Sequence, residues 1–203
     1  MRSVTSTVPP LLPLLLLACG MAPPAEEQTP ATQTVALDSA STQGCLFHVS
    51  SRLRPGPMPP RKQILVTRVD VGGCAWGEGS VVLGSTYDDS SLSLAANDLG
   101  VAVGFTSKSS PSGSAAVSVQ LRHLDPRSLG VLRSTSLGAL NQTQAGNVHD
   151  VGLSLAKDGT TLEVRGSKNG AIPGEVGSGS NYVALFPDFF TSTLAPTITA
   201  EEG

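Results

Sequence analysis

The sequence predicts an all-β protein, an antiparallel meander of hairpins, and three observations predict it. Aliphatic residues two apart recur on short segments, as in Val81/Leu83, Val101/Val103 and Leu162/Val164. That is the period of a strand with one buried face. Polar turn residues that tolerate left-handed backbone separate such segments, among them Asn97-Asp98 and Lys157-Asp158-Gly159. Charged residues make up 14% of the chain and aromatics 4%, with Gly at 22 positions and Pro at 15. Aliphatic packing and frequent turns must therefore build the core. Helical periodicity is hardly supported anywhere.

The first element precedes the domain. Arg2 stands ahead of an apolar run from Val8 to Leu17 that Pro9, Pro10 and Pro13 interrupt. A membrane-spanning helix needs about 20 consecutive apolar residues, and each proline inside a helix costs about 3 kcal/mol. The run suits the core of a secretory leader instead. It closes on Leu16-Leu17-Ala18-Cys19, with bulky Leu16 where ordinary signal cleavage wants a small residue. The four residues resemble the lipobox of bacterial lipoproteins, and the resemblance covers about the first 20 residues of the chain. It implies removal of residues 1–18, a thioether-linked diacylglycerol on Cys19 and a place in the cell envelope. Gly20, rather than Asp, follows the cysteine, which favours the outer membrane, facing the periplasm or the cell surface. The membrane is then a partner through the anchor, since two acyl chains hold stably where one holds marginally.

Residues 19–43 are rich in Pro, Thr, Ala and Gln and lack apolar periodicity. Such a segment cannot bury enough surface to offset its ordering entropy, and it reads as a tether. Residues 44–203 remain for a single all-β domain, enough for one core. With Cys19 taken by lipid, Cys45 and Cys74 are left as a pair in an oxidising compartment, which favours a disulfide. Closing a loop of about 30 residues would stabilise by about 3 kcal/mol in the loop-entropy account. A metal or redox pair is the alternative, but C-x-x-C spacing and neighbouring histidines are missing.

Within the domain, Cys45–Val49 is a short strand candidate and Pro55–Pro60 a proline-rich loop. Gln63–Asp70 alternates into a polar turn. Residues 74–84, 94–104 and 155–165 then align without gaps, each a strand end, a turn and a strand. Leu92-Ser93-Leu94-Ala95 and Leu153-Ser154-Leu155-Ala156 are identical in the four residues each contributes. Ser114–Val119 falls where an intermediate unit should start, and Tyr182–Phe186 with Phe189-Phe190 suits a last strand closing the core. Two hairpins would make one four-stranded blade, and Val117–Pro126 resembles the blade strand of propeller-like repeats. A β-sandwich or barrel and a partial β-propeller-like ring are both compatible with this meander.

The composition also bounds function. Arg2, one of 13 basic residues, leaves with the leader, so 12 face 16 acidic residues in the mature chain. The local basic cluster is Arg52, Arg54, Arg61 and Lys62, spread across prolines. Nucleic-acid binding leans on phosphate neutralisation and is not expected. Ser154-Leu155-Ala156-Lys157 matches S-x-x-K, the serine–lysine pattern of acyl transfer, but it sits on a strand running into a turn rather than on a helix. His149-Asp150 are adjacent, so on a strand they point to opposite faces. His48 and His123 are isolated in sequence. Asp88, Asp89, Asn97 and Asp98 lack the D-x-D-x-D-G order of a calcium loop. Asn141-Gln142-Thr143 is a glycosylation sequon only in a eukaryotic secretory route. Trp76 suits packing against the disulfide, with ligand stacking as the alternative, and residues 166–180 read as a long loop. No metal or cofactor is expected. The sequence therefore points to a non-enzymatic, lipid-anchored envelope protein that binds, assembles or supports, with envelope proteins or polysaccharide as partners. An envelope hydrolase or acyl-transfer enzyme is the alternative.

Overall fold

The computed structural model describes residues 35–203 except Pro57, Asp89, Ser90 and Thr143, and all of them belong to one compact unit. Cys19 and the leader lie outside the described residues. The described residues form fourteen strands in three sheets, with no helix. Sheet I runs β1 (Val35–Thr42), β2 (Cys45–Arg54), β3 (Arg61–Asp70) and β4 (Gly79–Thr86) in sequence order. Sheet II repeats that order with β5 (Leu92–Asn97), β6 (Gly100–Lys108), β7 (Val117–Leu124) and β8 (Val131–Gly138). Sheet III holds β9 (Asn147–Val148), β10 (Gly152–Leu155), β11 (Leu162–Asn169), β12 (Glu175–Gly177), β13 (Asn181–Phe186) and β14 (Thr197–Glu201). Its order is β10-β11-β13-β14-β12, with β9 beside β11 and β12 parallel to β14.

The expected all-β meander is present, and no sheet closes on itself as a barrel would. The sheets stack face to face, with sheet II in the middle. Phe47, Val49, Ile64 and Val66 of sheet I meet Leu94, Val101, Val103 and Phe105 of sheet II in one core. Ala102, Val119 and Leu121 on the opposite face of sheet II meet Leu162, Val164, Tyr182 and Phe186 in a second. The first seven residues of β6 are all buried, because a strand covered on both faces loses the apolar–polar alternation of a half-buried one.

The two-residue hairpins form where sequence places turn chemistry. Gln43 and Gly44 both take positive φ, 48° and 72°, the mirror-image turn that suits strand twist. The Asn97 Oδ1 instead accepts from the backbone N–H of Leu99 and Gly100, at 2.9 and 3.2 Å, and fixes the β5–β6 turn. Residues 155–165 form the expected hairpin of β10 and β11. Residues 74–84 do not, because Cys74 to Glu78 is loop and only Gly79 onward is strand. One boundary is corrected. The segment read as tether to residue 43 contains β1, which pairs with β2 from Val35↔Ser51 to Thr42↔Cys45. Its polar alternation, Asp38-Ser39-Ala40-Ser41-Thr42, gives no strand signal by itself. Tertiary partners order it.

Those partners join edge strands of the three sheets, β1, β5 and β10. The Asp38 Oδ2 accepts from the Ser93 hydroxyl at 2.8 Å and from the Leu94 N–H at 2.7 Å. The Ser93 hydroxyl oxygen accepts in turn from the Leu153 N–H at 3.0 Å, and Ser91 takes the Val151 N–H at 3.1 Å. β5 and β10 are edge strands of their sheets, so side chains of the neighbouring sheet satisfy amides that an edge would leave open. The close approach needs Gly104, where a Cβ would stand 2.7 Å from Val151 Cγ2.

Candidate binding cleft

The β2–β3 hairpin sets the cleft. Its ladder runs without a break from Cys45↔Asp70 to Arg54↔Arg61, so the four basic residues that sequence scatters across prolines converge at one end. Arg54 faces Arg61 directly, and Arg52 faces Gln63 in the next pair on that face. Across β3, Lys62 pairs with Thr86, the last residue of β4. Tyr87 follows, with its N–H on the Lys108 carbonyl at 3.1 Å. The Arg61 guanidinium lies over the Tyr87 ring, 4.7 Å from its centroid, a cation–π stack that holds it in place. Arg54, Pro55, Gly56, Pro59, Arg61 and Tyr87 line a cleft of about 290 Å³. The described residues of its lining include two guanidiniums, one phenol, apolar proline walls and no carboxylate.

A second cleft of about 310 Å³ is lined by Asp150, Arg165, Ser167, Tyr182 and Glu201 among others. Several of its polar groups are already engaged. Arg165 Nε is 2.5 Å from Glu163, and an Arg165 Nη1 is 3.6 Å from Glu201. The Ser167 hydroxyl donates to the Asp150 carboxylate and the Tyr182 hydroxyl to the Asp150 carbonyl. Burial, aided by the nearby Asp150 charge, pushes the Tyr182 phenol well above its ordinary value.

Other sequence candidates resolve into structural roles. The Ser154 hydroxyl is exposed on β10 and donates to Glu163 Oε1 at 3.4 Å, while Lys157 lies beyond the strand in the turn. His149 and Asp150 are both exposed, with the His149 N–H on the Ser167 carbonyl. Asp88 precedes β5 and Asp98 follows it, so the strand holds them apart; Asp89 lies outside the described residues. The Asp98 carboxylate accepts from the Thr42 hydroxyl at 2.5 Å, and bonds from Thr42 and Gln43 hold it below the usual range. No group of three or more His, Cys, Asp or Glu side chains is placed to hold a metal ion among the described residues. Of the sequon, Thr143 lies outside the described residues. Trp76 is half-buried against the core between sheets I and II. Cys45 and Cys74 form a disulfide with Cα atoms 4.6 Å apart.

Two buried cations carry no signal in the sequence. Arg68, 5% exposed, spends its guanidinium on four backbone carbonyls. Nε donates to Gly77 at 2.6 Å, Nη2 to Trp76 at 2.7 Å, and Nη1 to Pro126 and Arg127 at 2.6 and 2.5 Å. It pins the loop after the disulfide to the β7–β8 turn. Residues 166–180, expected as a long loop, instead begin inside β11, which runs to Asn169, and include β12. Lys168 likewise pins the stretch 169–180. Its ammonium donates to Gly170 and Gly179 carbonyls, both at 3.0 Å, and to Glu175 Oε1 at 3.1 Å. In sequence, neither cation differs from a surface one, because its acceptors are carbonyls that any residue could supply.

The chain matches no protein-family model, no curated protein and no solved structure. The reading of function therefore rests on its own residues.

Proposed function

We propose that the chain is a lipid-anchored protein of the bacterial cell envelope with a binding role, tethered at the outer membrane through Cys19 and engaging an envelope component through the Arg54–Arg61–Tyr87 cleft. The observation that carries the binding half is the cleft itself, where two guanidiniums with no carboxylate partner among the described residues converge with apolar walls. Concave sites with a few polar groups on apolar walls are where ligands bind. The lipobox-like Leu16-Leu17-Ala18-Cys19 carries the anchoring half. The disulfide Cys45–Cys74 is in keeping with an oxidising compartment. No nucleophile–base pair among the described residues favours the enzymatic alternative.

Expression of the full chain in a bacterial host tests the anchor. The mature protein should begin at Cys19 and carry a diacylglycerol adduct by intact mass. Cys19→Ala should lose the adduct and leave the membrane fraction. An unmodified wild-type chain in the soluble fraction would remove the anchoring half. Pull-down from the protein's own envelope, compared with Tyr87→Ala, tests the cleft. Equal retention of the captured component by both forms would remove it.

A further inference from the structure

We infer that the cleft recognises an oxyanion, a carboxylate or phosphate borne on a body the size of one sugar. This rests on the reading of the cleft as the binding site and names its ligand class.

The register makes the case. Arg54 and Arg61 are a directly opposed cross-strand pair, and like charges in that relation destabilise a sheet. Arg52 lies two residues back on the same face, about 7 Å along the strand. The acids of the chain outnumber its bases, 16 to 13, so partners are not scarce. Yet Arg52 bonds a neutral amide, Gln63 Oε1 at 3.2 Å. Neither Arg54 nor Arg61 has a carboxylate partner among the described residues.

Three other cations are used differently, whereas Arg122 and Arg133, like Arg61, lie over aromatic rings. Arg165 is paired with Glu163 and Glu201, Lys168 with Glu175, and Arg68 is saturated by carbonyls. A local feature that works against the fold without a compensating contact is where function is expected. Each guanidinium offers five N–H donors in a planar fork that matches a carboxylate or phosphate in a bidentate geometry. An anion between the two would turn their repulsion into two charge-assisted contacts.

The surroundings set the size of the ligand. Tyr87 holds the Arg61 guanidinium at 4.7 Å before any ligand arrives, so less freedom is lost on binding. Pro55 and Pro59 supply rigid apolar walls, and about 290 Å³ sits at the small end of ligand clefts. That volume accommodates a single monosaccharide. Carboxylate and phosphate share the recognising chemistry, and titration separates them.

The mature chain, purified in detergent, is titrated calorimetrically at low ionic strength with glucuronate, glucose 6-phosphate and neutral glucose. At least one acid should bind while glucose does not. Binding by glucuronate alone identifies a carboxylate ligand, and binding by the phosphate alone a phosphate ligand. Arg54→Gln and Arg61→Gln should each weaken the binding acid about tenfold, the range of a hydrogen bond to a charged group. Added salt should weaken it in the wild type. Arg54→Gln should melt at the same temperature as wild type or higher, since it removes a facing like charge. Binding of neither acid, equal binding of glucose, or unchanged affinity when Arg54→Gln and Arg61→Gln are combined would overturn the inference. An acylated protein whose cleft ignores both acids would keep the envelope reading and lose this one. Acid binding by a chain that carries no lipid would do the reverse.

Discussion

His123 is the side chain whose chemistry fits its surroundings least. It is 5% exposed, its Nε2 has no hydrogen-bond partner among the described residues, and it packs edge-on to Phe190 with centroids 5.1 Å apart. Phe189 lies 6.0 Å away, and the Arg133 guanidinium covers that ring at 4.4 Å. Burial first, and the Arg133 charge second, hold the imidazole below its ordinary value. The Leu99 backbone and Asp125 pull the other way and are outweighed. The fold therefore stabilises the neutral ring. Its contribution is complete above the unfolded pKa of about 6.5 and is lost as pH falls from there toward the folded value, because the unfolded chain takes the proton first. Asp70, Asp125 and Asp158, each held low chiefly by backbone N–H bonds, act in a separate window. Their stabilisation is lost only as pH falls below about 4. The urea midpoint should thus fall between about pH 7 and pH 5, and His123→Leu should flatten that fall. An identical decline in the variant would assign the effect to other groups.

At the scale of elements, the joints between edge strands matter most. Ser93 is 7% exposed and bridges two sheets, donating to Asp38 and accepting from Leu153 N–H. Ser93→Ala removes one of the two donors to the half-buried Asp38 Oδ2, which keeps the Leu94 N–H, and takes the hydroxyl acceptor from the Leu153 edge amide, which should cost about 1–2 kcal/mol. Hydrogen exchange should quicken at the Leu153 amide more than at amides inside β6. A uniform change, or none at Leu153, would show that the joint does not act locally.

The same element shows what the sequence could disclose. The identity of residues 92–95 with residues 153–156 marks β5 and β10, and their aliphatic spacing marks the hairpins that follow. What Ser93 does was hidden, because its partners lie 55 and 60 residues away and any small polar residue suits a strand edge. β1 was hidden for a related reason, since Asp38 acquires its meaning only when Leu94 arrives. The cleft was half legible. Arg52, Arg54, Arg61 and Lys62 stood out as a cluster, but the Arg54↔Arg61 register and the arrival of Tyr87 depend on the β2–β3–β4 pairing.

At the scale of the molecule, sheet II shares one core with sheet I and another with sheet III, so neither core can open without uncovering a face of β6. That coupling predicts one cooperative transition, and the only tryptophan makes it measurable. Trp76 packs on the core between sheets I and II and reports by fluorescence on that side alone, while far-UV circular dichroism reports on all three sheets. The two signals should trace the same urea curve, as two-state unfolding requires. The Cys45–Cys74 bridge closes a loop with a sequence separation of 29 residues and ties the start of β2 to the loop that Arg68 holds. Replacing both cysteines with alanine should cost about 3 kcal/mol, mainly by freeing the unfolded chain. Because the apolar faces on either side of sheet II remain, the two probes should shift to lower urea together. If fluorescence instead moves ahead of circular dichroism, sheet I unfolds alone, and the bridge, not the shared face of sheet II, is what unites the stack.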